Sequence, residues 1–184
     1  MIDTERLVLR RFTMDDVDEL AAIFAKPEVF WFNSRRGLTR EETETMIKER
    51  FIGLWEEQGF GHFAVIRKSD ERLLGYTGLA IPRFLPEVLP AVEVGYRFDP
   101  DAWGQGYATE ASAASFDYGF ETVGLERIIA IYHIENKRSG RVMERLGMRV
   151  ERDTVDPADG AALRVYEIFR DEWRCARTQV LTES

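Results

Sequence analysis

The chain has one cysteine, two histidines and no long apolar run. Cys175 alone cannot form an internal disulfide or supply a cysteine-rich zinc site. His62 and His133 are far apart in the sequence and have no companions at metal-ligand spacing, so we expect no metal. The apolar runs are much shorter than the ~20 residues that cross a bilayer, which argues against a transmembrane helix and a membrane partner.

Basic residues are also scarce relative to acidic ones. Lys and Arg number 25 against 33 Asp and Glu, giving a formal net charge of −8. This balance argues against a nucleic-acid binder, because affinity for phosphates requires clustered Lys and Arg. It suits a cationic small substrate or a basic peptide, and it also serves solubility. The first residues are charged and lack the apolar segment of a signal peptide, so we expect a cytoplasmic protein.

The composition is otherwise that of a globular protein. Hydrophobic residues make up 45% and aromatic residues 12% of the 184 residues, enough for a sizeable core. No repeat, low-complexity tract or linker interrupts the chain. We therefore expect a single domain over residues 1–184.

Hydrophobic periodicity and capping signals predict a mixed α+β fold with the element order β α α β β β α β α β β. Thr13 is expected to cap the first helix, and Thr39-Arg40-Glu41-Glu42 is a capping box that opens the second. Gly59 and Gly61 are expected to end the second helix. The predicted strands cover residues 6–12, 62–67, 73–81, 92–98, 127–133, 149–154 and 163–169. The two later helices are predicted at residues 108–122 and 139–146.

The segment between the fourth predicted strand and the third predicted helix reads Trp103-Gly104-Gln105-Gly106-Tyr107-Ala108-Thr109. Its two glycines let the backbone pass close to a ligand, and the N–H groups of a first helical turn favour phosphate. A Walker loop requires G-x-x-x-x-G-K-[ST], which is absent. A dinucleotide-binding fold requires Gly or Ala at the position of Thr109. It also places its glycine loop at the start of a βαβ unit, whereas this loop lies past the middle of the chain.

The third alternative is the pyrophosphate loop of the GNAT acetyltransferase superfamily, [QR]-x-x-G-x-[GA]. The segment resembles it at Gly106 and Ala108, with Trp103 in place of Gln or Arg. Downstream, residues 136–148 (NKRSGRVMERLGM) closely resemble the N-x-x-S…E-K-L-G-F signature of the superfamily. The opening TERLVLR, the EVGY before the loop and residues 166–173 resemble its RimJ/RimL-like branch. The resemblance covers nearly the whole chain in the right order.

That resemblance implies acetyl-coenzyme A as the donor and a twisted mixed sheet of about seven strands, splayed between the fourth and fifth and flanked by helices. The pantetheine arm would occupy the gap and pair with the strand backbone, and the Phe98 N–H would polarise the thioester carbonyl. The implied cofactor-binding residues are Tyr96, Arg97, Phe98, Trp103, Gly104, Gln105, Gly106, Tyr107, Ala108, Thr109, Asn136 and Arg141.

The resemblance also implies direct attack of a neutral amine on the thioester in a ternary complex. Glu93 is the candidate base. Its alternative role is that of an ordinary strand residue that faces solvent. Many relatives place a Tyr acid where this chain has Met143, which cannot donate a proton. Ser139 is the replacement that the pattern suggests, with a helix N-cap as its alternative role. Asn136 would orient a water or the pantetheine amide.

The motifs above do not identify the amine that accepts the acetyl group. In relatives the loop between the first two helices lines the acceptor cleft, which makes Trp31, Phe32 and Asn33 candidate substrate residues, as is Phe84 in a later proline-bearing loop. Their alternative role is core packing. Arg35 and Arg36 would bind an acceptor carboxylate or simply be solvated.

A protein α-amino group is slightly favoured over a small amine such as an amino acid, a polyamine or an aminoglycoside. A coenzyme A-binding sensor without catalysis is the alternative from another class, and Met143 is its only support. Dimers are common among relatives, so a homodimer is compatible with the sequence.

Overall fold

The computed structural model describes residues 1–182, which divide into two compact units. The first unit contains Met1–Ala80 and Gly95–Ser115. The second contains Ile81–Val94 and the chain from Phe116 onward.

Eight strands form one open mixed sheet in the order β1-β2-β3-β4-β5-β6-β8-β7. Seven of them match the predicted strands, and the additional strand, β1, has two residues, too few for a periodic pattern. The strands are β1 (Ile2–Asp3), β2 (Leu7–Arg11), β3 (His62–Arg67), β4 (Leu73–Ala80), β5 (Glu93–Phe98), β6 (Arg127–His133), β7 (Arg149–Val155) and β8 (Ala162–Phe169).

In the first unit, the strands β1, β2, β3 and β4 lie side by side in that order, each antiparallel to the next. The predicted hairpin between β3 and β4 is confirmed. Helix α1 (Val17–Phe24) supplies Leu20, Ile23 and Phe24 to a core that also contains Phe12, Phe30, Ile47 and Phe51. This core follows from the apolar stripe of α1, whose spacing places those side chains on one helix face.

The second predicted helix forms in three pieces, α2 (Arg40–Met46), a π-helical turn (Ile47–Ile52) and α3 (Gly53–Gln58). Its predicted capping box is confirmed, because Thr39 Oγ1 accepts from the Glu42 N–H at 3.2 Å and the Glu42 carboxylate accepts from the Thr39 N–H at 2.8 Å. Gly59, at φ 78°, ends α3 as predicted.

In the second unit, β8 lies between β6 and β7 and is antiparallel to both. Leu85, Val88, Ile129 and Val165 form a buried cluster there. Strand β5 pairs with β6 in parallel, with Glu93 opposite Ile129, and the Ile129 N–H donates to the Val92 carbonyl at 3.0 Å. A pairing this short agrees with the splay expected between these two strands.

Three further helices complete the fold. Helix α4 (Tyr107–Asp117) continues into a π-helical turn (Tyr118–Val123). Helix α5 (Lys137–Arg145) begins two residues earlier than expected, and α6 (Arg170–Thr182) was not predicted. Across residues 1–182, no helix combines the length and apolarity that crossing a membrane requires.

Candidate functional site

The glycine loop joins the end of β5 to the start of α4, as predicted. Gly104 (φ 74°) and Gly106 (φ 83°) both adopt left-handed backbone, which glycine tolerates without a Cβ penalty. The Glu110 N–H donates to the Gly106 carbonyl at 3.0 Å and so closes the first turn of α4. The N–H groups of that first turn have no preceding helical carbonyls to bond, which leaves a cradle suited to an anion.

Trp103 occupies the position at which the family motif has Gln or Arg. Its indole Nε1 donates to the Phe98 carbonyl at 3.0 Å, across the turn Pro100–Ala102. The indole therefore ties the start of the loop to the end of β5. This bond gives the departure from the motif a structural role.

Arg6 braces the loop from its carbonyl side. Its Nη1 donates to the Gln105 carbonyl at 2.9 Å, and its guanidinium carbon lies 4.6 Å from the centroid of the Tyr107 ring. Because a peptide group is planar and trans, the Gln105 carbonyl and the Gly106 N–H point in opposite directions. Holding the carbonyl against Arg6 therefore turns the Gly106 N–H away from Arg6.

Glu110 holds Arg6 in place. Its carboxylate accepts from Arg6 Nε at 2.7 Å, from the Arg6 N–H at 2.8 Å and from Thr4 Oγ1 at 2.6 Å. Burial raises the pKa of Glu110, but the hydrogen bonds from Thr4 and Arg6 outweigh it, so the pKa lies below its usual value. Sequence reasoning missed Thr4 and Arg6 as site residues, although the TERLVLR pattern contains both.

Asp99 anchors the turn before the loop. It is 1% exposed, and its carboxylate accepts from Lys26 Nζ and Arg72 Nη2, each at 2.6 Å, and from the Asp101 N–H at 3.1 Å. Burial raises the pKa of Asp99, but the bonds from Lys26 and from the Asp101 backbone hold it below its usual value. A satisfied buried carboxylate of this kind fixes the path of the chain into the loop.

The predicted acceptor segment, residues 30–36, is partly exposed. Phe30 is buried in the core, whereas Trp31 is 57% exposed. Asn33 is exposed, and its Oδ1 accepts from Arg97 Nη2 at 2.7 Å. Arg36 makes two hydrogen bonds to the Glu42 carboxylate, at 2.6 and 2.8 Å, so its guanidinium is already engaged.

The remaining candidates, Glu93, Asn136, Ser139, Arg141 and Phe84, belong to the second unit. Glu93 and Ser139 are half-buried, while Arg141 is exposed and Phe84 is 47% exposed. The N-cap alternative for Ser139 is wrong. Asn136 caps α5, because its Oδ1 accepts from the Ser139 N–H at 3.3 Å and the helix begins at the next residue.

Two tyrosines, Tyr132 and Tyr166, lie near α5 and were not among the candidate site residues. A Cβ on Gly140 would lie 2.8 Å from the Tyr132 hydroxyl, so only glycine fits there without a shift. The Tyr166 hydroxyl lies 3.4 Å from Glu144 Oε1, and burial together with Tyr132 raises the pKa of Tyr166 to about 12. Met143, at the position of the family's acid, is 1% exposed and packs in the core.

A glycine loop with left-handed backbone thus joins a strand of an open mixed sheet to a helix, an arrangement that suits a phosphate-bearing ligand. The sequence matches the model of the acetyltransferase (GNAT) domain over residues 6–149, and the chain belongs to that family. GNAT domains use acetyl-CoA as cosubstrate, so the protein is an N-acetyltransferase. In the described part of the chain, no cluster of three or more His, Cys, Asp or Glu side chains could hold a metal ion.

Individual relatives agree with this assignment. The uncharacterized N-acetyltransferase YoaA of Bacillus subtilis is 27% identical over 151 residues, covering 82% of this chain and 84% of that protein. A GNAT-family acetyltransferase structure from Bacillus anthracis is 27% identical with a TM-score of 0.77, covering 92% of this chain and 98% of that one. A candidate ribosomal-protein-serine acetyltransferase from Vibrio cholerae is 25% identical with a TM-score of 0.72, covering 91% and 96%.

Proposed function

We propose that the protein transfers the acetyl group of acetyl-CoA to a primary amine, and that a protein N-terminal α-amino group is the preferred acceptor. The observation that carries the donor assignment is the loop at residues 103–109, with its two left-handed glycines and the Arg6 brace behind it. The likeness to the Vibrio cholerae protein, which is named for a ribosomal-protein acceptor, supports the peptide acceptor.

On this proposal, the N–H groups of Gln105, Gly106, Ala108 and Thr109 hold the pyrophosphate, since each belongs to the loop or to the first turn of α4. The backbone of residues 96–98 pairs with the amides of the pantetheine arm. The Phe98 N–H donates to the thioester carbonyl oxygen as charge develops on it.

The chemistry is a direct acyl transfer. The amine nitrogen forms a bond to the acetyl carbon, the carbon–sulfur bond breaks, and the electron pair leaves with the sulfur. Glu93 accepts the proton from the amine, and the Ser139 hydroxyl stabilises the thiolate, which is a fair leaving group near neutral pH. Asn136 uses its carboxamide oxygen as the cap of α5, so its NH₂ group is the part assigned to the pantetheine arm.

Release of free thiol from acetyl-CoA tests the function directly. The probes are a short peptide beginning with serine or alanine, free lysine, spermidine and kanamycin. We expect the peptide to give the highest kcat/KM. A higher kcat/KM for a small amine would make that amine the preferred acceptor. Binding of acetyl-CoA without thiol release with any probe would favour a sensor.

Two substitutions test the catalytic assignments. Ser139→Ala should lower kcat by about tenfold while the Kd of acetyl-CoA stays within about twofold, because the hydroxyl acts on the leaving group. Glu93→Gln should lower kcat and remove the acidic limb of the pH–rate profile. Unchanged turnover in either variant would refute the role of that residue.

A further inference from the structure

Arg97 lies in β5, and its guanidinium donates hydrogen bonds to the segment that follows α1. Nη1 donates to the Val29 carbonyl at 2.8 Å, and Nη2 donates to Asn33 Oδ1 at 2.7 Å. Nε donates to the Tyr76 hydroxyl at 3.3 Å, and the guanidinium carbon lies 4.4 Å from the centroid of the Phe30 ring. The two Nη atoms therefore bond to the segment after α1, Nε bonds to Tyr76 of β4, and an aromatic ring lies beneath the guanidinium.

The loop at residues 30–36 has its own internal bonds, and Phe30 anchors its start in the core. The Phe30 carbonyl accepts from the N–H groups of Asn33, at 2.9 Å, and Arg35, at 3.0 Å. Arg35 holds a positive φ of 55°, which is uncommon for a side chain with a Cβ. A strained, exposed loop of this kind keeps one conformation only where its surroundings impose it. Arg97 supplies that restraint from the strand.

We propose that Arg97 is a positioning residue that fixes residues 30–36 in the arrangement that receives the amine. This inference rests on the proposed function, in which those residues line the acceptor side and the backbone of β5 carries the pantetheine arm. Arg97 then has two separable parts. Its backbone serves the donor, and its side chain serves the acceptor.

Three measurements on Arg97→Met separate these parts. Calorimetry should give a Kd for acetyl-CoA within about twofold of the wild type, because the backbone of β5 is retained. The KM for the peptide probe should rise by about tenfold with a smaller change in kcat, as expected when a few hydrogen bonds that hold a loop are lost. Amide hydrogen exchange over residues 30–36 should accelerate by about tenfold.

Asn33→Ala and Arg97→Lys refine the test. Asn33→Ala should raise the KM in the wild-type background and have no further effect in Arg97→Met, because the bond it removes is already gone. Arg97→Lys keeps the charge but not the planar donor geometry, so it should fall between wild type and Arg97→Met. Arg164→Met removes an arginine that pairs with Asp153 between β7 and β8 and should change none of the three measurements.

Unchanged hydrogen exchange over residues 30–36 in Arg97→Met would overturn the proposal. So would a rise in the Kd of acetyl-CoA as large as the rise in KM. If the wild type binds acetyl-CoA but acetylates none of the probes, the proposed function fails separately. Hydrogen exchange then decides alone whether Arg97 orders the loop.

Discussion

Arg6 and Gln105 are 99 residues apart in the chain, yet the guanidinium of one donates to the carbonyl of the other at 2.9 Å. The bond sets the direction of the peptide group between Gln105 and Gly106, and with it the direction in which the Gly106 N–H points. The N-terminal segment of the protein thus shapes the loop to which we assign the pyrophosphate.

Arg6→Met should raise the Kd of acetyl-CoA by about tenfold, because the loop amide loses its fixed direction. The free energy of unfolding should fall by only ~0–1 kcal/mol, as is typical of a partly exposed ion pair. Calorimetry and urea unfolding measure the two quantities. Arg164→Met, which breaks a pair with Asp153 between β7 and β8, is the matched control. Equal Kd values for Arg6→Met and the control would contradict the brace.

Asp99→Asn should lower the free energy of unfolding at pH 7 by ~1–3 kcal/mol, because Lys26 and Arg72 lose a buried ionised partner. Asp101→Asn is the control, because Asp101 also pairs with Lys26 but its side chain is 68% exposed. Its free energy of unfolding should change by less than ~0.5 kcal/mol. Urea unfolding of both variants measures the difference.

The effect of Asp99 should also depend on pH. Its pKa in the folded protein lies below the ordinary value of 3.8, so the folded state binds the proton less tightly than the unfolded state does. The stability from its ionised form is complete above that ordinary value and is lost as the pH falls through the lower, folded-state pKa. The gap between wild type and Asp99→Asn should therefore shrink toward pH 3. A gap that widens in acid would refute this assignment.

Gly140→Ala should destabilise the fold by ~1–3 kcal/mol, because the added methyl would lie 2.8 Å from the Tyr132 hydroxyl. Tyr132→Phe removes that oxygen, so the same substitution should cost less in the Tyr132→Phe background. Thermal and urea unfolding of the four proteins give the coupling energy. Gly53→Ala, where the nearest atom to a Cβ is the Lys48 carbonyl oxygen at 3.5 Å, is the helical control and should be neutral or stabilising.

The sequence predicted the elements that have a strong local signal. Alternating strands, the apolar stripe of α1 and the Thr39 capping box each depend on neighbours within a few residues. The π-helical turn at Ile47–Ile52 was missed because an apolar pattern does not separate i→i+5 from i→i+4 bonding. The start of α5 was misplaced because Asn136 and Ser139 are both good caps, and only the backbone distinguishes them.

The candidate site was predictable only in part, for the same reason. Residues 103–109 carry the strand-to-helix glycine pattern within one short segment. The groups that hold this loop in place, Arg6 with Glu110 and Asp99 with Lys26 and Arg72, come together from distant parts of the chain. No local pattern in a single sequence pairs residues at such separations.

The most direct test of the account is a calorimetric titration of Gly106→Glu with acetyl-CoA. The substitution puts a bulky, negatively charged side chain into the loop assigned to the pyrophosphate, and its Cβ would lie 3.3 Å from Nη2 of Arg6, the residue that braces this loop. Gly160→Glu is the matched control, since Gly160 has a similar φ of 74° and lies in the turn between β7 and β8. Both variants should lose ~1–2 kcal/mol of stability from the left-handed backbone, and Gly106→Glu also meets Arg6, whereas a Cβ at Gly160 has open space. We predict that Gly160→Glu binds acetyl-CoA as the wild type does and that folded Gly106→Glu shows no binding; a wild-type Kd for Gly106→Glu would contradict the account.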